Sequence, residues 1–349
     1  MQYRQLGRTG LRVSTFTLGT MGFGGTGWAT PVGQIDVSGA REQIAIARDA
    51  GVNLIDTADV YSAGLSEEIL GEALGSDRDQ VLIATKARMP MGDGPNDAGL
   101  SRHHIVRAAE ASLRRLNTDY IDLYQVHEWD GHTPLEETLT ALDDLVRSGK
   151  VRYIGCSNYA AWQMMKALAI SDARHLERFA STQVYYSLQN RDIEAEIVPA
   201  VVDQGLGILV WSPLAGGLLS GKYRRGVDAP AGSRHLTEWN EPPVNDEDKL
   251  YDTIELAVKI GESHNVSAAQ VALAYISQKP GVTSLIVGSR TPAQLRDNLA
   301  AADLKLTADE VKALDDVSGE PLRYPFWHQR NTSSDRLSAA DLTQIQRHL

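Results

Sequence analysis

The sequence predicts an α/β fold: a (β/α)8 TIM barrel with an N-terminal β-hairpin, a long loop after strand seven and a C-terminal tail. Three observations predict it. Short apolar runs of strand length recur eight times along the 349 residues. Between them lie longer stretches with apolar residues at three- and four-residue spacings, the period of a helix packed on one face. Asp56, Tyr61, Lys86 and His127 stand at or just past the ends of three such runs, where a barrel gathers its active site. Alternating strand and helix units imply a parallel sheet, and eight in one chain favour closure over an open, doubly wound sheet.

The elements follow in order. Tyr3 to Ser14 holds two extended pieces around a Gly/Thr turn and reads as the hairpin, placed at the barrel floor. The eight strands are Thr15–Leu18, Val52–Ile55, Val81–Ala84, Ile121–Gln125, Val151–Gly155, Ser181–Tyr185, Gly207–Val210 and Ser284–Val287. The helical stretches are Ser38–Ala50, Glu67–Leu74, His103–Leu116, Pro134–Ser148, Ala160–Ala169, Ile193–Gln204, Ala268–Gln278 and Pro292–Ala301. Ser212–Asp248 is a long segment rich in Gly, Pro and charge, which marks a functional or disordered loop. Residues 1–349 are read as a single barrel domain, and the tail at 318–349 is expected to pack over it near the pocket. His103-His104 opens a predicted helix without zinc-spaced partners, so a solvated helix start is expected and no metal site.

Bulk properties narrow the function. A net charge of −11 and a pI near 5.3 argue against a general nucleic-acid or membrane-surface role. No apolar run reaches transmembrane length and the first ten residues are polar, so a cytoplasmic location is expected. The lone Cys156 excludes an internal disulfide and reads as a buried structural thiol. Oligomeric state stays open, a homo-oligomer included.

The four polar residues form a proton-transfer set built around a tyrosine. A free phenol titrates near pH 10 and is a poor donor at neutral pH. A nearby ammonium lowers that value, a carboxylate fixes the ammonium, and an imidazole orients a carbonyl oxygen. Hydride addition to a carbonyl is the natural reaction, with a nicotinamide as the source because no side chain supplies hydride. Taken singly, each residue could equally be a cap or a rim group.

The chain resembles the aldo-keto reductase superfamily, in its bacterial type, from the hairpin to about Val317. The matching stretches are Asp56-Thr-Ala-Asp-Val-Tyr61, Ile83-Ala-Thr-Lys86, Tyr120-Ile-Asp-Leu-Tyr-Gln-Val-His127, Gly149-Lys-Val-Arg-Tyr-Ile-Gly-Cys-Ser-Asn158, Trp211-Ser-Pro-Leu-Ala-Gly-Gly-Leu-Leu-Ser-Gly-Lys222 and Gly288-Ser-Arg290 with Gln294 and Asn298. The resemblance implies NADPH-dependent, reversible reduction of an aldehyde or ketone. Tyr61 would be the proton donor, Lys86 and Asp56 its tuning pair, and His127 the substrate-orienting group. NADP(H) is the implied cofactor. Gly288, Arg290, Gln294 and Asn298 would hold its adenosine end, with Arg290 on the 2′-phosphate. Trp211, Ser212, Leu214, Ala215, Gly216 and Lys222 would line the pyrophosphate path, and Arg234 would reach back over it. Ser157, Asn158 and Gln183 would serve the carboxamide, and Thr20 and Met21 would border the nicotinamide ribose.

On the residues alone two readings of the corner after strand eight stand equal, a phosphate site with Arg290 beside it, or a plain helix start where Gln294 only caps and Arg290 is a solvated surface charge: Thr291 suits an N-cap, Pro292 the first helical position and Gln294 a capping box. A helix N-terminus after strand eight binds phosphate readily. The Gly19–Gly27 run lacks the dinucleotide fingerprint spacing and reads as a substrate-side loop. Phe23, Trp28 and Trp129 are the candidate pocket walls, with Trp239 and the tail aromatics as further contributors, suiting a bulky or xenobiotic carbonyl. Two alternatives stay open: a slow-turnover, cofactor-binding redox sensor like the potassium-channel β subunits, and an NADP+-dependent alcohol dehydrogenase. The β subunits carry a non-histidine residue at the His127 position, which leans toward catalysis.

Overall fold

The computed structural model describes residues 1–27, 30, 33–233, 235 and 241–349. Eight parallel strands close on themselves: β3 (Phe16–Gly19), β4 (Leu54–Asp56), β5 (Leu82–Ala87), β6 (Ile121–Val126), β7 (Val151–Ser157), β8 (Phe179–Tyr185), β9 (Gly207–Trp211) and β10 (Val282–Val287). The seam is the pairing of β10 with β3, Leu285 beside Phe16. Every predicted strand is present, its ends displaced by no more than three residues.

The preceding hairpin, β1 (Tyr3–Gln5) with β2 (Arg12–Ser14), pairs antiparallel. Its Leu6 and Val13 are fully buried against Leu54, Ala84, Leu123, Ala180, Leu209 and Ile286 inside the barrel. The hairpin therefore plugs the floor, as its position in sequence predicts. Gly7 makes this possible: at φ 59°, a Cβ there would lie 2.4 Å from the Ala180 carbonyl oxygen.

The helices α1 (Val37–Asp49), α2 (Leu65–Leu74), α3 (Arg102–Arg115), α4 (Leu135–Arg147), α5 (Ala161–Arg174) and α6 (Ile197–Gln204) follow β3 to β8 in turn. Their apolar stripes meet the outer face of the sheet in one continuous core. Each fully buried aliphatic side chain contributes about 1.5–3 kcal/mol there. Two helices, α7 (Glu247–His264) and α8 (Ala268–Ser277), separate β9 from β10. The sequence reading did not predict α7. It opens on Glu-Asp-Lys straight after the long loop, and its buried face mixes Thr253 and Gly261 with Leu250, Ile254, Ala257 and Ile260.

After β10 come α9 (Pro292–Ala300) and α10 (Ala308–Ser318), the latter also unpredicted. In the tail, α11 (Phe326–Thr332) leads to α12 (Ala339–Ile345), which lies along α6 on the barrel flank. There the Gln344 amide donates to the Glu194 carbonyl oxygen, and Arg347 Nη2 to Glu320 O at 2.7 Å. Tyr324 is 73% and Trp327 46% exposed. A second correction concerns His104. It is buried, not solvated, because α3 starts at the Ser101 N-cap and turns the imidazole inward, Nδ1 3.2 Å from Asn96 O. Among the described residues no helix is long and apolar enough to cross a membrane.

Candidate active site

β4 ends on Asp56, and β5 carries Lys86 beside it. Lys86 is fully buried, and its Nζ donates to Asp56 Oδ1 at 2.5 Å and to Thr57 O at 2.7 Å. The same ammonium lies 3.4 Å from the Tyr61 hydroxyl and 4.9 Å from its ring centroid. The Tyr61 ring meets His127 edge to face, centroids 5.9 Å apart. Asp56 Oδ2 accepts from Gln183 Nε2 at 2.8 Å and from Gln125 Nε2 at 3.3 Å. The fold thus brings all four predicted residues together, and the charged pair is compensated by contact and by hydrogen bonds, as burial requires.

The protonation states follow from these contacts. Burial raises the Tyr61 pKa; the Lys86 charge pulls it down, but too weakly to win, and Asp56 adds to the rise. This corrects the expectation that the ammonium dominates: the phenol keeps its proton at neutral pH. Burial alone would lower Lys86, yet Asp56 and Tyr61 lift it above its ordinary value, so it stays cationic. Burial, then the charges of Lys86 and Arg88, push His127 well down, leaving a neutral imidazole whose buried Nδ1 has no hydrogen-bond partner.

The connections around this mouth are strained. Non-glycine residues with positive φ include Ser62 (50°), Ala63 (56°), Arg88 (152°), Asn158 (55°), Ser212 (50°) and Ala215 (50°). Such conformations persist only where the surroundings over-determine them. Ser62, next to Tyr61, is one such case. Its Oγ accepts from Gly25 N at 3.0 Å and donates to Phe23 O at 3.0 Å, and its carbonyl accepts from Thr26 Oγ1 at 2.6 Å.

A dinucleotide fits the remaining features. Ser157 Oγ, at the end of β7, is buried without a partner and is available to an amide. Gly216 and Gly217 take φ 63° and 98°, opening the backbone after Ser212, whose Oγ accepts from Gly216 N at 3.0 Å. At Gly288 the nearest atom to a would-be Cβ is Gly19 O at 3.6 Å, so the strand-to-helix junction is uncrowded. Thr291 Oγ1 caps Gln294 N at 3.3 Å, while Gln294 Oε1 accepts from Arg290 N at 3.1 Å, one residue before the expected capping-box partner. Asn298 lies buried one turn further along α9. Arg290 is exposed and reaches Gly232 O through Nη1 at 2.7 Å, tying the long loop to this corner. Leu214 and Lys222 flank the glycine pair, with Ala215 buried beside them.

Several predicted contacts are already engaged within the protein. Thr20 Oγ1 bonds Asp56 O at 3.1 Å and Ser66 Oγ at 3.0 Å, which fixes the strand ends. Gln183 serves Asp56. Asn158 donates to Glu128 Oε1 at 2.9 Å and to His127 O at 3.2 Å, and accepts from Trp211 Nε1 at 2.9 Å. Trp211 lies against Tyr185, centroids 4.9 Å apart. Met21 is half-buried just after β3. Phe23 is fully buried in the helix–sheet core and presents no surface to the mouth. Trp129 is half-buried beside Tyr159 and Trp162, centroids 5.2 and 5.7 Å away. Trp28, Arg234 and Trp239 lie outside the described residues.

Sequence reasoning missed Gln125, Asp59 and Glu67. Gln125 is a polar residue inside an apolar strand run, which is itself a signal, since buried polar groups carry information that buried apolar ones do not. Asp59 is fully buried and neither oxygen makes a well-formed hydrogen bond; burial and the neighbouring Glu67 push its carboxyl up to about 8. Glu67 is fully buried too, but accepts from Thr85 Oγ1 at 2.5 Å and Arg115 Nε at 2.7 Å.

Comparison with known proteins places the chain in a family. The pattern of the Aldo/keto reductase family matches residues 15–318. An uncharacterized oxidoreductase of Bacillus subtilis, YrpG, is 40% identical, the match covering 92% of this chain and 97% of the relative. A versiconal hemiacetal acetate reductase of Aspergillus parasiticus is 36% identical over 90% of this chain and 96% of its own. A probable voltage-gated potassium channel subunit beta of Arabidopsis thaliana is 37% identical over 87% and 92%. The chain belongs to the aldo/keto reductase family of oxidoreductases.

Proposed function

We propose that the protein reduces an aldehyde or ketone to the alcohol with NADPH, reversibly, and that Tyr61 gives the proton. The observation that carries this reading is the fully buried Lys86 ammonium, held by Asp56 and lying 3.4 Å from the Tyr61 hydroxyl. When bound, the nicotinamide supplies hydride to the carbonyl carbon. The carbonyl oxygen would sit between Tyr61 and His127. The neutral imidazole orients it by a hydrogen bond, and the protonated phenol donates as negative charge develops. The Lys86 charge then stabilises the phenolate left behind, and Asp56, steadied by Gln183 and Gln125, keeps that ammonium in place. Ser157 would hold the carboxamide and Arg290 the 2′-phosphate, which favours NADPH over NADH.

The carbonyl-reducing reading is supported over the channel-partner reading by His127, an imidazole facing Tyr61 at a position where the resemblance gives those subunits another residue. The lone buried Cys156 supports a reducing cytoplasm as its setting. The test is NADPH oxidation against aldehydes, ketones and quinones, with Tyr61→Phe in parallel. Removing the general acid should cost about 10²–10⁴-fold while NADPH binding persists. Unchanged turnover in Tyr61→Phe would sink the proton-donor role.

A further inference from the structure

Arg88 is a cation at the mouth that the proposed chemistry leaves unused. It follows β5, just beyond Lys86, at φ 152°, a backbone conformation rare for any residue but glycine. The Gly99 N–H holds it there by donating to Arg88 O at 2.9 Å. A strained backbone kept by its surroundings at a pocket rim motivates a functional reading. The guanidinium is poorly satisfied. Among the described residues its Nη2 reaches only Trp129 O, at 3.4 Å, its Nη1 reaches only the weak acceptor Met89 Sδ, at 3.9 Å, and its buried Nε has no partner. Among the described residues Arg88 makes no ion pair.

Its position is set by its neighbours. The His127 N–H donates to the carbonyl of Ala87, the residue before Arg88, at 3.0 Å, and the Arg88 guanidinium contacts the Trp129 carbonyl, so Arg88 stands on the connection next to the carbonyl-orienting imidazole. Glu128, the acid nearest in sequence to His127, is turned to Asn158 instead. The adjoining wall is the aromatic group of Trp129, Tyr159 and Trp162. In a chain of net charge −11, an anionic substrate needs a local cation of this kind. A fork of planar donors suits one anion in particular, the carboxylate.

We infer that Arg88 is a specificity-determining residue whose unused donors take a substrate carboxylate, so that the favoured acceptors are oxo acids with an apolar or aromatic body. The carbonyl lies between Tyr61 and His127, the body lies on Trp129, and the acid group lies on the guanidinium. This assignment rests on the carbonyl-reducing reading.

The test compares 4-carboxybenzaldehyde with its methyl ester, using NADPH, in the wild type, Arg88→Met and Arg88→Lys. The wild type should favour the acid. In Arg88→Met the acid-to-ester ratio of kcat/KM should fall about tenfold or more, the size expected for loss of a charge-assisted hydrogen bond, and mainly through KM. Arg88→Lys should recover part of the ratio. A ratio unchanged in Arg88→Met overturns the assignment, as does an equal loss on both substrates. Terephthalate binding, read by tryptophan fluorescence with NADP+ present, separates this from failure of the reductase reading. Binding at least tenfold weaker in Arg88→Met supports Arg88 even if neither aldehyde is reduced. Equal binding by both proteins overturns it.

Discussion

Replacing Asp59 with Asn should free the protein of a pH-dependent burden. In the fold this carboxyl titrates near 8, against an ordinary 3.8, chiefly because it is buried. A raised acid acts in the opposite sense to a salt-bridged one. Below pH 3.8 both the folded and unfolded chains hold the proton, and no penalty exists. Between 3.8 and 8 the unfolded chain loses it and the folded chain keeps it, so stability falls as pH rises, by about 1.4 kcal/mol per pH unit. Above 8 the penalty is constant. This amounts to about 4 kcal/mol at pH 7, of which about 3 kcal/mol accrues above pH 5. Asn has the shape of the neutral acid and does not titrate. Urea unfolding of both proteins at pH 5, 6 and 7 therefore should show Asp59→Asn gaining on the wild type by about 3 kcal/mol across that range. Other titrating groups are common to both proteins and cancel in the difference. Stability differences that stay constant from pH 5 to 7 would refute the reasoning and mean that Asp59 is ionised in the fold.

Two further outcomes bear on the site. Because His127 is held well below its ordinary value, kcat/KM for carbonyl reduction should be flat through pH 6.5, the ordinary imidazole value; a limb there that disappears in His127→Gln would contradict a neutral imidazole. Arg290→Ala should weaken NADPH binding about 10- to 100-fold and NADH binding much less, measured by nicotinamide fluorescence; equal losses would mean that Arg290 does not read the 2′-phosphate.

The barrel and the tetrad were legible for the same reason. In a parallel sheet buried on both faces a strand is a short apolar run, and the polar residues just past its end mark the mouth. Asp56, Lys86 and His127 each stand at such a break, and Tyr61 lies within the turn that follows. The residues that support them were harder to see, because their importance depends on pairing across strands. Gln125 meets Asp56 only because register sets Lys86 beside it. Asp59 follows Asp56 by three positions with nothing in the local pattern to mark it, yet the chain turns it into the interior. His104 lies one turn before Ala108 on the buried face of α3, but a histidine in the first turn of a helix reads as a polar, solvated residue. Phe23 went the other way: its place in a glycine-rich mouth loop suggested a pocket wall, but its bridge to Ile35 draws it into the core. α7 was hidden by the charged loop before it.

The sealed Cys156 has a consequence for the chemistry this protein handles. Burial pushes its thiol up to about 12, so near neutral pH it stays protonated, and it lies out of reach of solvent. Reactive carbonyls and quinones poison proteins by alkylating or oxidising exposed cysteines. With no other cysteine in the chain, the protein offers such compounds no accessible thiol, and it should outlast thiol-dependent neighbours when electrophiles accumulate.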